Sequence, residues 1–180
     1  MRTSIFLQRV FFSFSCFLIV LVFSDASASA NQDVVQFQKL NRQIVSLYKA
    51  RQYAAAVPFA QRALQLMDHD FRNNPVEFAQ ALNNLGELKR KMGDVTTAEA
   101  MFLRSLKFSL KFLPGNHPLV AILLNNLALL YENQGQYQEA RSLYERSLKI
   151  RREILTPNHP AIANLVDKLS VLNKNRVSPQ

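Results

Sequence analysis

Cysteine and glycine are both scarce in this chain of 180 residues, and tryptophan is absent. The only cysteine, Cys16, lies in an apolar stretch near the amino terminus. If that stretch is removed, no cysteine remains for a disulfide or for thiol chemistry. The four glycines form no glycine-rich loop of the kind that cradles phosphate groups. A disulfide scaffold and a phosphate-loop nucleotide site are therefore not expected.

Side chains that could ligate a metal or carry catalysis are also sparse. His117 and His159 recur 42 residues apart, each before a proline, but no cysteine or tight histidine cluster accompanies them. Asp68 and Asp70 have no partner at a spacing that suggests acid–base chemistry. No combination of nucleophile, base and oxyanion donor can be recognised. We therefore expect no metal, no cofactor and no enzymatic activity.

The chain does contain an internal repeat of 42 residues. The run from Leu82 to Gly86 matches the run from Leu124 to Ala128, and residues 93–98 match residues 135–140. Three copies stay in phase without an insertion, and a fourth has only its first half. A period of this length predicts a solenoid of small supersecondary units. A short solenoid offers a curved surface that can hold another molecule.

Each copy predicts two helices that form an antiparallel hairpin. Apolar residues at helical spacing are followed by a break, at Gly135 in the third copy, and then by a second amphipathic run. Small residues early in the second helix allow close approach to the first: Ala56, Ala98 and Ala140. One apolar column is expected in the core of all four copies: Leu40, Leu82, Leu124 and Val166. The predicted fold is all-α, with about three stacked hairpins and a C-terminal capping helix.

This pattern resembles the tetratricopeptide repeat, and more closely the 42-residue form found in kinesin light chains and many bacterial proteins. The match is carried by the run Leu124–Tyr131 and by Gly135, Tyr137, Ala140, Tyr144 and the His-Pro pairs at 117 and 159. The resemblance implies a right-handed α-solenoid over residues 37–175, with repeats at 37–70, 79–112 and 121–154 and a cap at 161–175. The sequence departs from the pattern at Gln43, Arg51, Pro58 and Lys89, and Pro58 is expected to interrupt the second helix of the first copy.

The amino terminus has the features of a secretory signal peptide. Arg2 and Arg9 precede or flank a largely apolar run over residues 10–23, and a small-residue segment ends at Ala30. This run is shorter than the roughly 20 residues that a membrane-spanning helix needs. We expect residues 1–30 to be removed by cleavage after Ala30, with cleavage after Ala26 or Ala28 as alternatives. Residues 31–36 are then a short linker, and residues 176–180 a disordered tail.

The charge of the chain is strongly basic. Removal of residues 1–30 leaves 20 basic and 12 acidic residues, a net charge of +8. A basic surface attracts nucleic acid, anionic lipid or acidic protein. The predicted export, to the bacterial periplasm or beyond, argues against nucleic acid. An acidic peptide, an anionic envelope surface and plain solubility remain as reasons for the charge.

Polar residues recur at two adjacent positions of the predicted first helices, between the core leucines. Adjacent helical residues are about 100° apart, so the two columns form one broad polar strip. Asparagine donates and accepts hydrogen bonds, which suits the backbone of an extended peptide. In related repeats asparagine at this point contacts bound peptide, which implies the same role for Asn84 and Asn126. The predicted binding residues are Asn41, Arg42, Asn83, Asn84, Asn125, Asn126 and Lys168.

Two functions and one structural alternative follow from these patterns. The leading expectation is a non-catalytic module that binds a segment of another protein in its concave groove. The second is a structural or envelope-assembly factor that self-associates through the exposed end of the solenoid, as a weak homodimer, because apolar residues spread around the last helix, namely Leu165, Leu169, Val171 and Leu172. The alternative for the asparagines is that they bond between neighbouring hairpins and serve the repeat itself.

Overall fold

A computed structural model describes residues 32–177 of the chain, and the side chains of residues 32–173. The described residues form seven α-helices and no strand. Six helices pair into three antiparallel hairpins and the seventh packs alone on the third hairpin, as predicted. The helices are α1 (32–49), α2 (Tyr53–Asp68), α3 (Pro75–Lys91), α4 (Val95–Phe112), α5 (Pro118–Asn133), α6 (Tyr137–Ile154) and α7 (Pro160–Val177).

The turn inside each hairpin uses a left-handed residue at the same place in the repeat. Gly93 and Gly135 have φ of 82° and 76°, and a Cβ at either glycine would meet nothing within 4 Å. Arg51 occupies this position in the first hairpin with φ of 58°. The turn geometry is therefore kept in all three hairpins, although a side chain in this conformation is strained.

The longer loops between hairpins end in a proline that begins the next helix. Pro118 and Pro160 are the first residues of α5 and α7, where a missing N–H costs no helical hydrogen bond. The preceding histidines cap these helices: Nδ1 of His117 accepts from the Leu119 amide at 3.2 Å, and Nδ1 of His159 accepts from the Ala161 amide at 3.1 Å. The recurring His-Pro pair thus has a structural role in helix initiation.

The predicted leucine column lies in the core, except at its last member. Leu40, Leu82 and Leu124 are at most 7 % exposed. The prediction that Val166 continues this column is wrong, because Val166 is 41 % exposed. The other three first helices are each followed by a second helix, whereas α7 has no such partner among the described residues. α7 instead buries Leu165 and other residues of one stripe on the third hairpin.

The two helices of each hairpin are fitted to one another by pairs of large and small residues. Gly86 on α3 faces Phe102 on α4 so closely that a Cβ would lie 2.9 Å from the phenyl ring. Ala128 and Tyr144 occupy the same two positions of the third hairpin, and both are fully buried in one cluster. In the first hairpin the sizes are reversed: the first-helix position is Ile44 and the second-helix position is Ala60, both buried. Each pair joins one larger and one smaller side chain, and the helix that carries the larger one changes between hairpins, as close packing allows.

Buried hydroxyl groups also join the helices of the second and third hairpins. Ser105 Oγ donates to the Ala79 carbonyl oxygen, and Ser147 Oγ donates to the Ala121 carbonyl oxygen, each at 2.7 Å. Both serines are fully buried. The first hairpin has Ala63 at this position and makes no such bond. The serines therefore fix the helix separation with a polar contact that the first hairpin lacks.

The first hairpin tolerates its departures from the repeat pattern. The prediction that Pro58 interrupts the second helix is wrong, since α2 runs unbroken from Tyr53 to Asp68. Proline removes one hydrogen bond to the carbonyl four residues earlier, and that residue, Ala54, is exposed, so water can take its place. Gln43 is exposed as well, where its counterparts Leu85 and Leu127 are buried.

Two predicted boundaries differ from the structure. Residues 32–36, expected to be linker, belong to α1. α7 continues to Val177, two residues past the predicted end of the cap. The predicted signal peptide and residues 178–180 lie outside the described residues.

Candidate protein-binding groove

A groove lies between the first helices of the first two hairpins and has a volume of about 330 Å³. It contains both apolar and polar side chains, which is typical of a site for part of a peptide. Four lining residues come from α1, namely Ile44, Val45, Tyr48 and Lys49, and four from α3, namely Asn83, Asn84, Glu87 and Leu88.

The predicted asparagines form hydrogen bonds between neighbouring hairpins. Asn84 Nδ2 donates to Asn41 Oδ1 at 2.7 Å, and Asn126 Nδ2 donates to Asn83 Oδ1 at 2.8 Å. This is the arrangement that the structural alternative for these residues describes. Each amide has two donors and two acceptor lone pairs, so one bond leaves capacity for a ligand. All four side chains are partly exposed and can reach one.

The asparagine ladder stops at the last step, where Asn125 of α5 should meet residue 168 of α7. Lys168 turns instead to the third hairpin, where Nζ lies 3.3 Å from Glu132 Oε2 and 3.3 Å from the Tyr144 hydroxyl. Nζ also lies 5.2 Å from the centroid of the Tyr144 ring. The positive charge of Lys168 is therefore offset inside the protein, rather than free at one end of the groove as its predicted role requires.

At the α1 end of the polar strip, by contrast, the positive charge is accessible. Arg42, the first member of the same column, is exposed on α1, and Lys49 is exposed two turns further along that helix. Neither forms an ion pair with another described side chain. The two columns thus present charge at the α1 end and neutral amides along α3 and α5.

A hydrogen-bonded cluster of Tyr48, Glu87 and Arg90 borders the groove. The Tyr48 hydroxyl donates to Glu87 Oε1 at 2.6 Å, and Arg90 binds both oxygens of the same carboxylate at 2.7 and 2.8 Å. The hydrogen bond from Arg90 to Glu87 raises the pKa of the guanidinium. Burial, and then the hydrogen bond to Glu87, raise the pKa of Tyr48. The carboxylate is neutralised in place and adds no net negative charge to the groove.

Two more tyrosines donate to carboxylates in the second and third hairpins. The Tyr131 hydroxyl donates to Glu99 at 2.8 Å, and burial together with this bond raises its pKa to about 12. The Tyr144 hydroxyl donates to Glu132 at 2.7 Å, and burial followed by this bond raises its pKa as well. These contacts were missed in the sequence because the partners are not at a constant spacing. The only available signal was that Glu87 and Glu132 are carboxylates on a face that otherwise carries amide, apolar and basic side chains.

Two kinds of site have no counterpart in the described part of the chain. Residues 32–177 contain no cluster of three or more histidine, cysteine or carboxylate side chains that could hold a metal ion. No helix among them combines the length and apolar character needed to cross a membrane.

Solved structures with this fold include two repeat proteins and a chaperone complex. BtubC (BKLC) from P. vanneervenii superposes with a TM-score of 0.70 at 18 % identity, covering 77 % of this chain and 55 % of that one. A putative kinesin light chain from Podosopora anserina with nearly identical TPR-like repeats gives 0.68 at 20 % identity, covering 75 % and 64 %. PcrH in complex with the chaperone binding region of PopD gives 0.60 at 16 % identity, covering 77 % and 92 %.

These likenesses establish the fold. The chain spans 55 % and 64 % of the length of the first two proteins. No curated protein sequence matches it. A tetratricopeptide-repeat family model matches residues 77–153 and, overlapping, residues 119–173, which together are more than half of the chain. The family expected from the repeated leucines, glycines and asparagines is thereby confirmed: the chain is a right-handed α-solenoid and belongs to the tetratricopeptide-repeat family.

Proposed function

We propose that the chain is a non-catalytic binding module of an exported protein, and that it holds an extended segment or a helix of a partner protein in the groove between α1 and α3. The observation that carries this proposal is the groove itself. An apolar lining from Ile44, Val45 and Leu88 lies beside the amides of Asn83 and Asn84. Apolar contacts would supply most of the affinity, and the amides would orient the partner backbone.

The charges around the groove favour an acidic partner. Arg42 and Lys49 are exposed and unopposed by described carboxylates, whereas Glu87 is already bound to Arg90 and Tyr48. An approaching acidic segment would therefore meet positive charge at the α1 end without repulsion from Glu87. Electrostatic complementarity of this kind raises the association rate and is weakened by salt.

The structural neighbours support binding of protein segments as a class of function. PcrH was solved with the chaperone binding region of PopD, and SycD from Yersinia enterocolitica is a translocator chaperone. Both share the fold of this chain at 14–16 % identity. The neighbours support only the class of function, and the proposal for this chain rests on the residues of its own groove.

The groove assignment is best tested at Val45, because replacing the asparagines would also remove bonds between hairpins. Val45 lines the groove and is 45 % exposed; Val35 lies on the same helix outside it and is 57 % exposed. A photo-crosslinking amino acid at position 45 should capture a defined partner, and the same amino acid at position 35 should not. With the crosslinking amino acid placed instead at Lys49, another exposed lining residue, Val45→Glu should abolish capture and the matched control Val35→Glu should not. Equal capture from positions 45 and 35 would refute the groove.

Export is a separate part of the proposal and has its own test. Sequencing the amino terminus of the protein from its native cell should give Asn31 as the first residue, with Ser27 or Ser29 if cleavage follows Ala26 or Ala28. A protein that retains Met1 would contradict removal of residues 1–30.

Self-association through the end of the solenoid is less well supported. Val166 and Val171 are 41 % and 53 % exposed on α7. They are five residues apart, so they point about 140° away from one another and form no single stripe. We therefore expect a monomer whose mass in light scattering does not change with concentration. A mass that rises toward twice the monomer would favour the structural alternative.

A further inference from the structure

A second cavity is lined by residues of α4, α5, α6 and the loop between α4 and α5, and it shares no lining residue with the binding groove. This outer crevice has a volume of about 360 Å³. Val120 and Leu124 of α5 form its floor, and both are buried. Leu110 of α4 stands at one side and is 48 % exposed. Arg146 and Lys149 of α6 form a positively charged rim that is exposed to solvent. Glu153 of α6 lines the crevice as well, so the crevice is apolar inside and carries two cations and one carboxylate at its opening.

The repeat shows why this crevice is open. Its counterpart one junction earlier, between the first and second hairpins, has phenylalanine at two of the lining positions. Phe78 takes the place of Val120 and Phe108 that of Ile150, 42 residues away in each case. Their ring centroids are 4.7 Å apart in an edge-to-face arrangement. Phe71 packs on both rings, with centroid distances of 5.8 and 5.7 Å. Aromatic rings therefore fill the earlier junction, whereas smaller residues leave the later one open.

The earlier junction also shows how the arginine at this position is satisfied. Arg104 is the counterpart of Arg146, and its guanidinium lies 5.5 Å from the centroid of the Phe78 ring. One of its nitrogens is 3.5 Å from Asp68 Oδ1. In the outer crevice valine replaces the phenylalanine, and Leu110 replaces the aspartate. Arg146 forms neither an ion pair nor a ring contact within the part of the chain that the structure describes.

We propose that the outer crevice binds an acidic, aromatic peptide segment of a partner protein, which supplies from outside the ring and the carboxylate that Phe78 and Asp68 supply to Arg104 at the earlier junction. The ring lies on Val120 and Leu110, and the carboxylate pairs with Arg146. Burial of a phenyl ring contributes most of the affinity. The arginine gains a charge-assisted hydrogen bond and a ring neighbour. This site is independent of the groove between α1 and α3.

The direct test uses a short peptide that carries one aspartate and one phenylalanine, three residues apart. Fluorescence anisotropy of the labelled peptide with the full chain should show saturable binding. Peptides with alanine for phenylalanine, or asparagine for aspartate, should bind at least about tenfold more weakly. Failure of the parent peptide to saturate, or equal binding of all three peptides, would overturn the proposal.

Two surface variants locate the site without disturbing the core. Leu110→Asp reproduces the aspartate of the earlier junction, so its carboxylate should occupy Arg146 and repel the peptide. Arg146→Glu removes the cation. Each should weaken binding at least about tenfold. Arg62→Glu makes the same charge change at the same register on α2, away from the crevice, and should leave the affinity within about twofold. Undiminished binding by the first two variants would refute the assignment.

Two further measurements distinguish the outer crevice from the groove and from a lipid-binding surface. Val120→Phe combined with Ile150→Phe copies the filled junction and should block the peptide while far-UV circular dichroism stays unchanged. Val45→Glu, which disables the proposed groove, should leave peptide binding intact, so the two proposals can fail separately. If the chain bound vesicles of anionic phospholipid but did not bind the peptide, the rim would be assigned to a lipid surface and the proposal would be overturned.

Discussion

Alkaline pH should unfold the protein by removing protons from tyrosines that the fold holds protonated. Tyr144 is fully buried and donates to the Glu132 carboxylate at 2.7 Å. Burial of the phenol and its hydrogen bond to Glu132 oppose ionisation, and they outweigh the nearby Lys168 Nζ, which lies 3.3 Å from the hydroxyl. The pKa of Tyr144 is therefore raised above the ordinary value of 10. The same holds, more weakly, for the partly buried Tyr48 and Tyr131.

The sign and size of the effect follow from proton linkage. A tyrosine whose pKa is raised by folding contributes stability that is fully present below pH 10, the unfolded value. Above it the unfolded chain binds fewer protons, so stability falls by about 1.4 kcal/mol per pH unit for each tyrosine that stays protonated in the fold. Tyr144 alone then removes about 3 kcal/mol by pH 12. Tyr48 and Tyr131 add smaller amounts because solvent screens them.

Tyrosinate absorbance and far-UV circular dichroism, recorded along the same pH series, measure this coupling. We expect part of the tyrosinate signal to appear together with the loss of helix. Replacing Tyr48, Tyr131 and Tyr144 by phenylalanine should reduce the steepness of alkaline unfolding. Phe102 already occupies the position of Tyr144 in the second hairpin, so the replacement fits the fold. The exposed Tyr137→Phe is the control. Ionisation of all five tyrosines in one simple step near pH 10, with helix content unchanged, would refute the reasoning.

Three substitutions test the packing and the turns through urea unfolding. Arg51→Gly should stabilise the chain by about 0.5–1 kcal/mol, because relief of left-handed strain exceeds the entropy cost of glycine; a destabilised variant would show that the turn is not strained. Ser147→Ala should cost about 1 kcal/mol by removing the bond to the Ala121 carbonyl, and no loss would mean that this buried bond contributes nothing. Gly86→Ala should cost about 1 kcal/mol, since the clash with Phe102 outweighs the gain in helix propensity; a more stable variant would contradict the close approach.

The 42-residue period predicted the fold because each apolar core position recurs in three complete copies of the repeat. Leu40, Leu82 and Leu124 are buried, and each lies in a hairpin whose two helices are both present. Val166 shows where the rule fails: the repeat unit is the same, but the covering helix is missing from the described residues. Extrapolating a column beyond the last complete hairpin is therefore unsafe, because burial depends on a neighbour that the column does not contain.

The first hairpin shows the opposite error. Residues that depart from the repeat pattern were expected to disrupt the hairpin, and they do not. Pro58 and Arg51 both violate the local preference for their position, yet the helix and the turn form as in the other hairpins. Tertiary packing of Ala56, Ala60 and Ala63 fixes the backbone, and each violation costs only a small part of that packing energy.

The candidate sites were only partly accessible from the sequence. The asparagine strip could be located from its period, but its hydrogen bonds join residues 43 apart in neighbouring hairpins, which a period cannot reveal. The Tyr48–Glu87–Arg90 cluster and the outer crevice arise from residues that break the repeat. Such residues carry no periodic signal, and their contacts follow only from three-dimensional packing.

The matched large and small residues within each hairpin have a consequence for how such a protein can be rearranged. Ile44 with Ala60, Gly86 with Phe102 and Ala128 with Tyr144 each fill the same space in a different division. A chimera that joined α1 to α6 would oppose isoleucine to tyrosine, and one that joined α3 to α2 would oppose glycine to alanine and leave a void. The unit that can be exchanged between such proteins is therefore the complete hairpin. A chimera whose junction lies inside a hairpin should fold poorly, although each of its helices keeps its natural sequence.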